Sequence, residues 1–333
     1  MTKYRQFPFW LHVLVVLVLL VATAVVSLCF GAANTSIQDV YEAIIGQSGG
    51  KHYSILREIR FPRIIAAIFV GSALAVAGAI MQGVTRNPLA DPGLLGLTAG
   101  ANAALALTMA FVANTSYLML IFACFIGAGV GMVIVYGIGA STKSGFSPLK
   151  LVLAGAAVSA LLQAIADGTG ILFNISKDVS MWTSGGLIGT TWQALIIVPF
   201  IALGLVIAFT FSRQLTILSL NEEVAVGLGQ STTKIKVVMM VVVVVLAGAA
   251  VALVGNLAFV GLMVPHIVRA FVGTDYRFVL PMSALVGGWF MLTADFVGRM
   301  INAPFETPVV AIISIIGLPF FLLLVRKGGR QFA

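Results

Sequence analysis

Charge is what this sequence most lacks. Only 9% of its 333 residues are Asp, Glu, Lys or Arg, while 60% are hydrophobic. A soluble domain carries roughly a quarter charged residues, so there is too little polar surface here to coat a water-soluble globule of this length. Histidine is scarce, at His12, His52 and His266, and so is cysteine, at Cys29 and Cys124. No cluster of these residues has metal-ligand spacing. Both cysteines lie in apolar runs, suit no disulfide framework and read as small buried hydrophobes. There is no phosphate-cradling G-x-x-x-x-G-K-[ST] loop and no Ser-His-Asp motif. The expectation is therefore no catalytic residue, no metal and no cofactor in this chain, and any ATP hydrolysis belongs to another chain.

Long apolar runs are what is present, and a spanning helix needs about 20 apolar residues. The candidate segments are Trp10–Phe30, Arg63–Val84, Gly93–Val112, Tyr117–Gly139, Leu149–Phe173, Trp192–Phe211, Ile235–Val254, Ala258–Val272, Val279–Met300 and Thr307–Val325. They predict an all-α, polytopic membrane bundle of about ten transmembrane helices, with residues 1–333 as a single transmembrane domain. The eighth segment is the weakest, being short and interrupted by Pro265, His266 and Arg269. Lys3 and Arg5 before the first run suggest a secretory leader. The run is longer than a leader core and no small-x-small site follows cleanly, so a retained first helix is expected.

The net charge of +8 does not imply nucleic acid, because the basic residues sit between apolar runs and form no stripe. With the N-terminus inside, the cytoplasmic side receives Lys3, Arg5, Arg86, Lys143, Arg213, Lys234, Lys236, Arg277, Arg326, Lys327 and Arg330. An even helix count then places both termini in the cytoplasm. Lys51, Arg57, Arg60, Arg63, Lys177 and Arg299 fall outside as a minority that the rule does not predict.

Two connections carry structure of their own. The external loop, residues 34–60, contains a short helix over Ser36–Ile45, with Ser36 as cap and Asp39 three residues on. An inner helix is expected over 219–229, bearing Glu222 and Glu223 and closed by Gly227 and Gly229. Ionisable residues inside spans are few: Asp167, with Gln163 one turn before it, and Asp295 with Arg299 at i,i+4, a spacing that allows an ion pair. Between the second and third segments Asn87, Pro88, Asp91, Pro92 and Gly93 interrupt the chain. Irregular backbone at membrane depth is tolerated only against protein or a watery path.

The stretch R-E-I-R-F-P-R … R-N-P-L-A-D-P-G-L-L-G-L over Arg57–Leu97 resembles the FecCD-type permeases of ABC importers for iron–siderophore complexes, haem and cobalamin. Further motifs extend the likeness over nearly the whole chain: G-L-M-V-P-H-I-V-R from Gly261, A-D-F-V-G-R from Ala294, E-T-P from Glu306 and G-L-P-F-F from Gly317. The resemblance implies ten helices, a second permease subunit (identical or paralogous), two cytoplasmic ATPases that bind ATP and Mg, and an extracytoplasmic siderophore-binding protein. It implies docking of that protein on Arg60, Arg63 and Arg299, which accounts for the outer basic minority.

The resemblance also makes 219–229 a coupling helix to the ATPase, through Leu220, Asn221, Glu222, Ala225, Gly227 and Gly229. Asn221 replaces the usual glycine. A gate is implied at Asn87, Pro88 and Leu89 and a second at Ser147, Pro148 and Leu149. Arg86 departs from the acidic residue of a cobalamin-importing relative. A ferric siderophore of hydroxamate type is the expected cargo in a bacterial cell membrane. A cobalamin or haem permease and an ion-coupled secondary carrier stay open as alternatives. The family further suggests an inverted repeat relating spans two to five to spans seven to ten.

Overall fold

The computed structural model describes residues 8–31, 35–46, 52–140, 148–184, 186–220 and 222–328. Within them the regular structure is helical: α1 (Phe9–Cys29), α2 (Ile37–Ile44), α3 (Phe61–Thr85), α4 (Leu97–Phe111), α5 (Tyr117–Ala140), α6 (Pro148–Leu172), α7 (Ser176–Ser184), α8 (Val198–Thr210), α9 (Ser212–Leu220), α10 (Glu222–Gly227), α11 (Thr232–Val254), α12 (Val260–Val272), α13 (Tyr276–Ile301) and α14 (Val309–Gly328). A π-helical turn over Ile55–Arg60 leads into α3.

Seven helices among the described residues are long and apolar enough to cross a membrane. The bent pair Ala194–Thr210 and Ser212–Leu220, which turn 58° at their junction, makes up to eight if it is one span. Two shorter apolar helices remain, α4 and α12. Their 15 and 13 residues reach only about 20 Å at 1.5 Å per residue, less than the hydrocarbon thickness of about 30 Å. These ten pieces coincide with the ten segments expected from sequence, but α4 and α12 are broken spans.

The core of the bundle is α3, and small residues explain why. A Cβ built on Gly71 would lie 2.1 Å from the Gly287 carbonyl oxygen of α13. One on Gly78 would lie 1.9 Å from the Gly261 carbonyl oxygen of α12. Apolar side chains gain nothing by leaving lipid tails, so close backbone approach and dense packing hold such helices together. Gly100, Gly127 and Gly131 join α4 to α5 in the same way.

Opposed topology follows from which ends meet. Arg63 at the start of α3 meets Asp295 near the end of α13, while Gly83 near the end of α3 lies against Tyr276 at the start of α13. These contacts define an Arg60 end and an α10 end of the bundle. α3 runs from the first to the second and α11 runs back. Each is followed by a backbone break and a shortened helix, α4 and α12 respectively. α3 with α4 and α11 with α12 are thus two long-helix, break, short-helix units whose long helices run in opposite directions.

Local signals are met where sequence places them. Ser36 caps α2 by accepting from the Asp39 N–H at 3.1 Å, and Asp39 accepts in return from the Ser36 N–H at 2.8 Å, a reciprocal capping box. Asp275 caps α13, accepting from the Arg277 N–H at 3.0 Å. Hydrogen bonds from the Arg277 side chain hold the Asp275 carboxyl below the usual carboxylate range, while partial burial pushes the other way.

Candidate functional site: a polar crevice between two broken spans

α3 ends with Arg86 in the left-handed region at φ 52°. Asn87 then makes a turn: its Oδ1 accepts from the Leu89 N–H at 3.0 Å, and its carbonyl accepts from the Ala90 N–H at 3.1 Å. Pro88 is exposed and Leu89 half-buried at the α10 end. From there the chain re-enters the bundle. Asp91 caps a 3-10 turn over Pro92–Leu95 by accepting from the Gly93 N–H at 2.8 Å, and Gly96 at φ 78° starts α4. Pro92 packs beside Gly261, level with Leu74 and Gly78. That is about 10–16 Å in from the end of α3.

The second break, residues 255–259, enters from the opposite end. Gly255 has φ 74° and its N–H donates to the Val251 carbonyl at 2.8 Å. Asn256 N–H donates to the Thr183 carbonyl at 3.2 Å. Phe259 takes φ 69°, uncommon for an aromatic residue, with its ring against Phe321 at 6.4 Å between centroids.

The two breaks, α4 and α6 border an open crevice of about 440 Å³ lined by Asp91, Thr98, Asn102, Ser159, Gln163 and Asn256, among others. Asn102 Nδ2 donates to Gln163 Oε1 at 3.4 Å, and Gln163 Nε2 donates to Asp167 Oδ1 at 2.9 Å. Gln163 and Asp167 are exposed on α6. Amides and carboxylates facing lipid tails are costly, so this face of α6 borders water or another protein. Discontinuous helices meeting near the midplane at a repeat interface are where membrane carriers place their cargo. Asp167 and Gln163 were singled out in the sequence. Asn102, Ser159 and Asn256 were missed, because an isolated small polar residue in an apolar run has no period to reveal it. The Gly255-Asn256 pair interrupting an apolar stretch was the one available signal.

The three arginines expected to dock an external protein come together at the Arg60 end, but they do not stand free. All three are buried. Arg63 makes a bidentate pair with Asp295 at 2.9–3.1 Å and a second pair with Glu306 at 2.9 Å. Arg299 lies 3.2 Å from Asp295 Oδ2 and donates to Ser27 Oγ. Arg60 donates to the Leu28 carbonyl and to Thr35 Oγ1, the latter at 3.0 Å. These guanidinium groups tie α1, α3, α13 and the segment before α14 to one another. Fork-shaped donors suit that bridging task. Glu306 and Ser27 were not foreseen, since their partners are more than 200 residues away in sequence.

At the other end, α10 falls within the 219–229 stretch expected to be helical, with α9 before it. Leu220, Val224, Val226 and Leu228 are exposed, each by about half or more. Ala225 is fully buried, so it anchors α10 to the bundle and is not a contact residue, contrary to expectation. Gly229 at φ 77° closes the helix, with the Gln230 N–H donating to the Ala225 carbonyl at 3.0 Å. Gly227 is exposed with open space beside it. Asn221 lies outside the described residues, as does Ser147. Glu222 begins α10, and Pro148 and Leu149 begin α6.

A bundle of apolar helices with a polar crevice between two interrupted helices is the architecture of a multi-pass membrane transport protein. Residues 19–327 match the FecCD transport family, and the chain belongs to that family. It is 44% identical over 318 residues to the iron(3+)-hydroxamate import system permease protein FhuB of Bacillus subtilis, covering 94% of this chain and 82% of that one. It is 37% identical over 327 residues to the hemin transport system permease protein HmuU of Yersinia pestis, covering 95% of each. Among solved structures it resembles a metal-chelate type ABC transporter in an inward-facing conformation, with a TM-score of 0.83 at 28% identity, covering 96% of this chain and all of that one.

Proposed function

We propose that the chain is the membrane permease of an ATP-driven importer for a ferric siderophore of hydroxamate type. The observation that carries this reading is the polar crevice between the two broken spans, in a chain 44% identical to a hydroxamate-import permease. The permease spans 1–333 as one transmembrane unit and pairs with a second copy or a paralogue. The exposed polar face of α6 borders the pathway between them. ATP and Mg are bound by two separate cytoplasmic ATPases. These engage α9 and α10, where the exposed Leu220, Val224 and Leu228 supply an apolar contact and the buried Ala225 transmits the push to the bundle. The turn at Asn87, Pro88 and Leu89, with Ser147, Pro148 and Leu149, closes the inner mouth. Both termini lie in the cytoplasm, so the Arg60 end faces outward and receives the binding protein.

Reconstitution of the permease with its ATPases and binding protein tests this reading. Uptake of a ferric trihydroxamate should require ATP and the binding protein together. Uptake driven by a proton or sodium gradient alone would sink it.

The outer cluster makes a second prediction with a definite sign. Arg60, Arg63 and Arg299 against Asp295 and Glu306 leave one positive charge in excess. Glu306 is the exposed member, with about a third of its side chain accessible. Glu306→Gln should therefore tighten docking of an acidic binding-protein surface by a few-fold, and the gain should fade as salt is raised. Weaker docking of this variant, measured by surface plasmon resonance on nanodisc-held complex, would remove the docking assignment.

A further inference from the structure

We propose that the crevice between the two broken spans is a charge filter, admitting neutral or cationic ferric chelates and holding back anionic ones. This rests on the transport reading above and adds its selectivity. Asp91 stands on the first break and lines the crevice; Asp167 lies beside it on α6, bonded to the lining Gln163 and through it to Asn102 on the opposite wall. No lysine, arginine or histidine lines the crevice among the described residues. That is unexpected in a chain carrying a net charge of +8.

Helix ends work in the other direction. α4 and α12 both start at this level, and each N-terminus contributes about half a positive charge. Together they offset Asp91, and the negative charge of Asp167 beside the crevice remains. In a narrow passage with low-dielectric walls that residual field is focused on whatever passes. Amide and hydroxyl groups of Asn102, Gln163, Ser159 and Thr98 provide hydrogen bonds without charge.

Chelate chemistry converts this into a substrate class. Three singly negative hydroxamates neutralise a ferric ion, whereas three doubly negative catecholates leave a trianion. Hydroxamate chelates pass such a field unopposed, and each added negative charge should slow passage by about tenfold.

The test keeps the binding protein's own preference constant. Uptake by the full reconstituted complex is measured for a ferric trihydroxamate and for the same chelate bearing one pendant carboxylate, both matched for affinity to the binding protein. The ratio of anionic to neutral uptake is the readout. In the wild-type complex it should be about 0.1. Asp91→Asn and Asp167→Asn should each raise it severalfold. Gln163→Glu, an isosteric change at an exposed position, should lower it further and serves if the aspartate variants fail to assemble. A ratio near one in the wild-type complex, or a ratio unmoved by all three variants, overturns the filter. If the complex takes up neither chelate with ATP, the import reading itself fails instead.

Discussion

Gly78→Val should leave almost no correctly folded permease in the membrane. A β-carbon on Gly78 would sit 1.9 Å from the Gly261 carbonyl oxygen and 2.4 Å from its carbonyl carbon and Cα. These are backbone atoms that cannot swing aside. Relief demands that α3 and α12 move apart. Such a shift would also open the Pro92 contact and the crevice that depends on it. Overpacking in a dense core costs about 1–3 kcal/mol where side chains can adjust, and here they cannot. The chain has no hydrophobic drive to re-form the contact, because lipid tails solvate separated helices as well as helices solvate each other. Gly137→Ala provides the control, since a Cβ there meets nothing within 4 Å. Thermal unfolding of purified protein in detergent checks the pair. Gly137→Ala should match the parent within a degree or two, and Gly78→Val should yield little monodisperse protein. Parental stability for Gly78→Val would mean that the helices are not in backbone contact.

Asp295→Ala is the second large effect. Asp295 is 1% exposed and holds two buried arginines, Arg63 and Arg299. Its removal leaves Arg299 without its carboxylate and Arg63 held by Glu306 alone, next to Arg60. Breaking a buried pair by deleting one partner costs about 3–5 kcal/mol, most of it from the charge left behind. Glu306→Ala removes a carboxylate from the same Arg63, but a partly exposed one, and should cost about 1 kcal/mol or less. The stability ranking parent, Glu306→Ala, Asp295→Ala is the expected order in detergent denaturation. The Asp295 deficit should be nearly insensitive to salt, because buried pairs are poorly screened. Equal effects of the two variants would show that Asp295 is not the hub of the cluster.

Much of the architecture is legible in the sequence because membrane folding leaves few options. Every backbone polar group at membrane depth must be satisfied within the chain, so long apolar runs become helices. Ser36 with Asp39 and Gly229 after α10 are contacts between near neighbours, and near-neighbour geometry is written in spacing. The i,i+4 pair of Asp295 and Arg299 was readable for the same reason. What spacing could not convey is that Arg63 is the stronger partner of Asp295, 232 residues away. Nor could it convey that this pairing buries the arginines expected to stand outward.

The sequence by itself determined that the chain crosses the membrane many times, where its long apolar helices lie, and that one break falls around Asn87–Gly93, because scarcity of charge and the run lengths allow little else. Only the tertiary structure decided that the breaks before α4 and α12 meet and that Asp91, Asn102, Gln163 and Asn256 line one crevice. It alone buried Arg60, Arg63 and Arg299 in an ion-pair cluster. The physical reason is common to all three: they depend on helices distant in sequence approaching to backbone contact at Gly71, Gly78, Gly261 and Gly287. No local propensity specifies which small residue meets which.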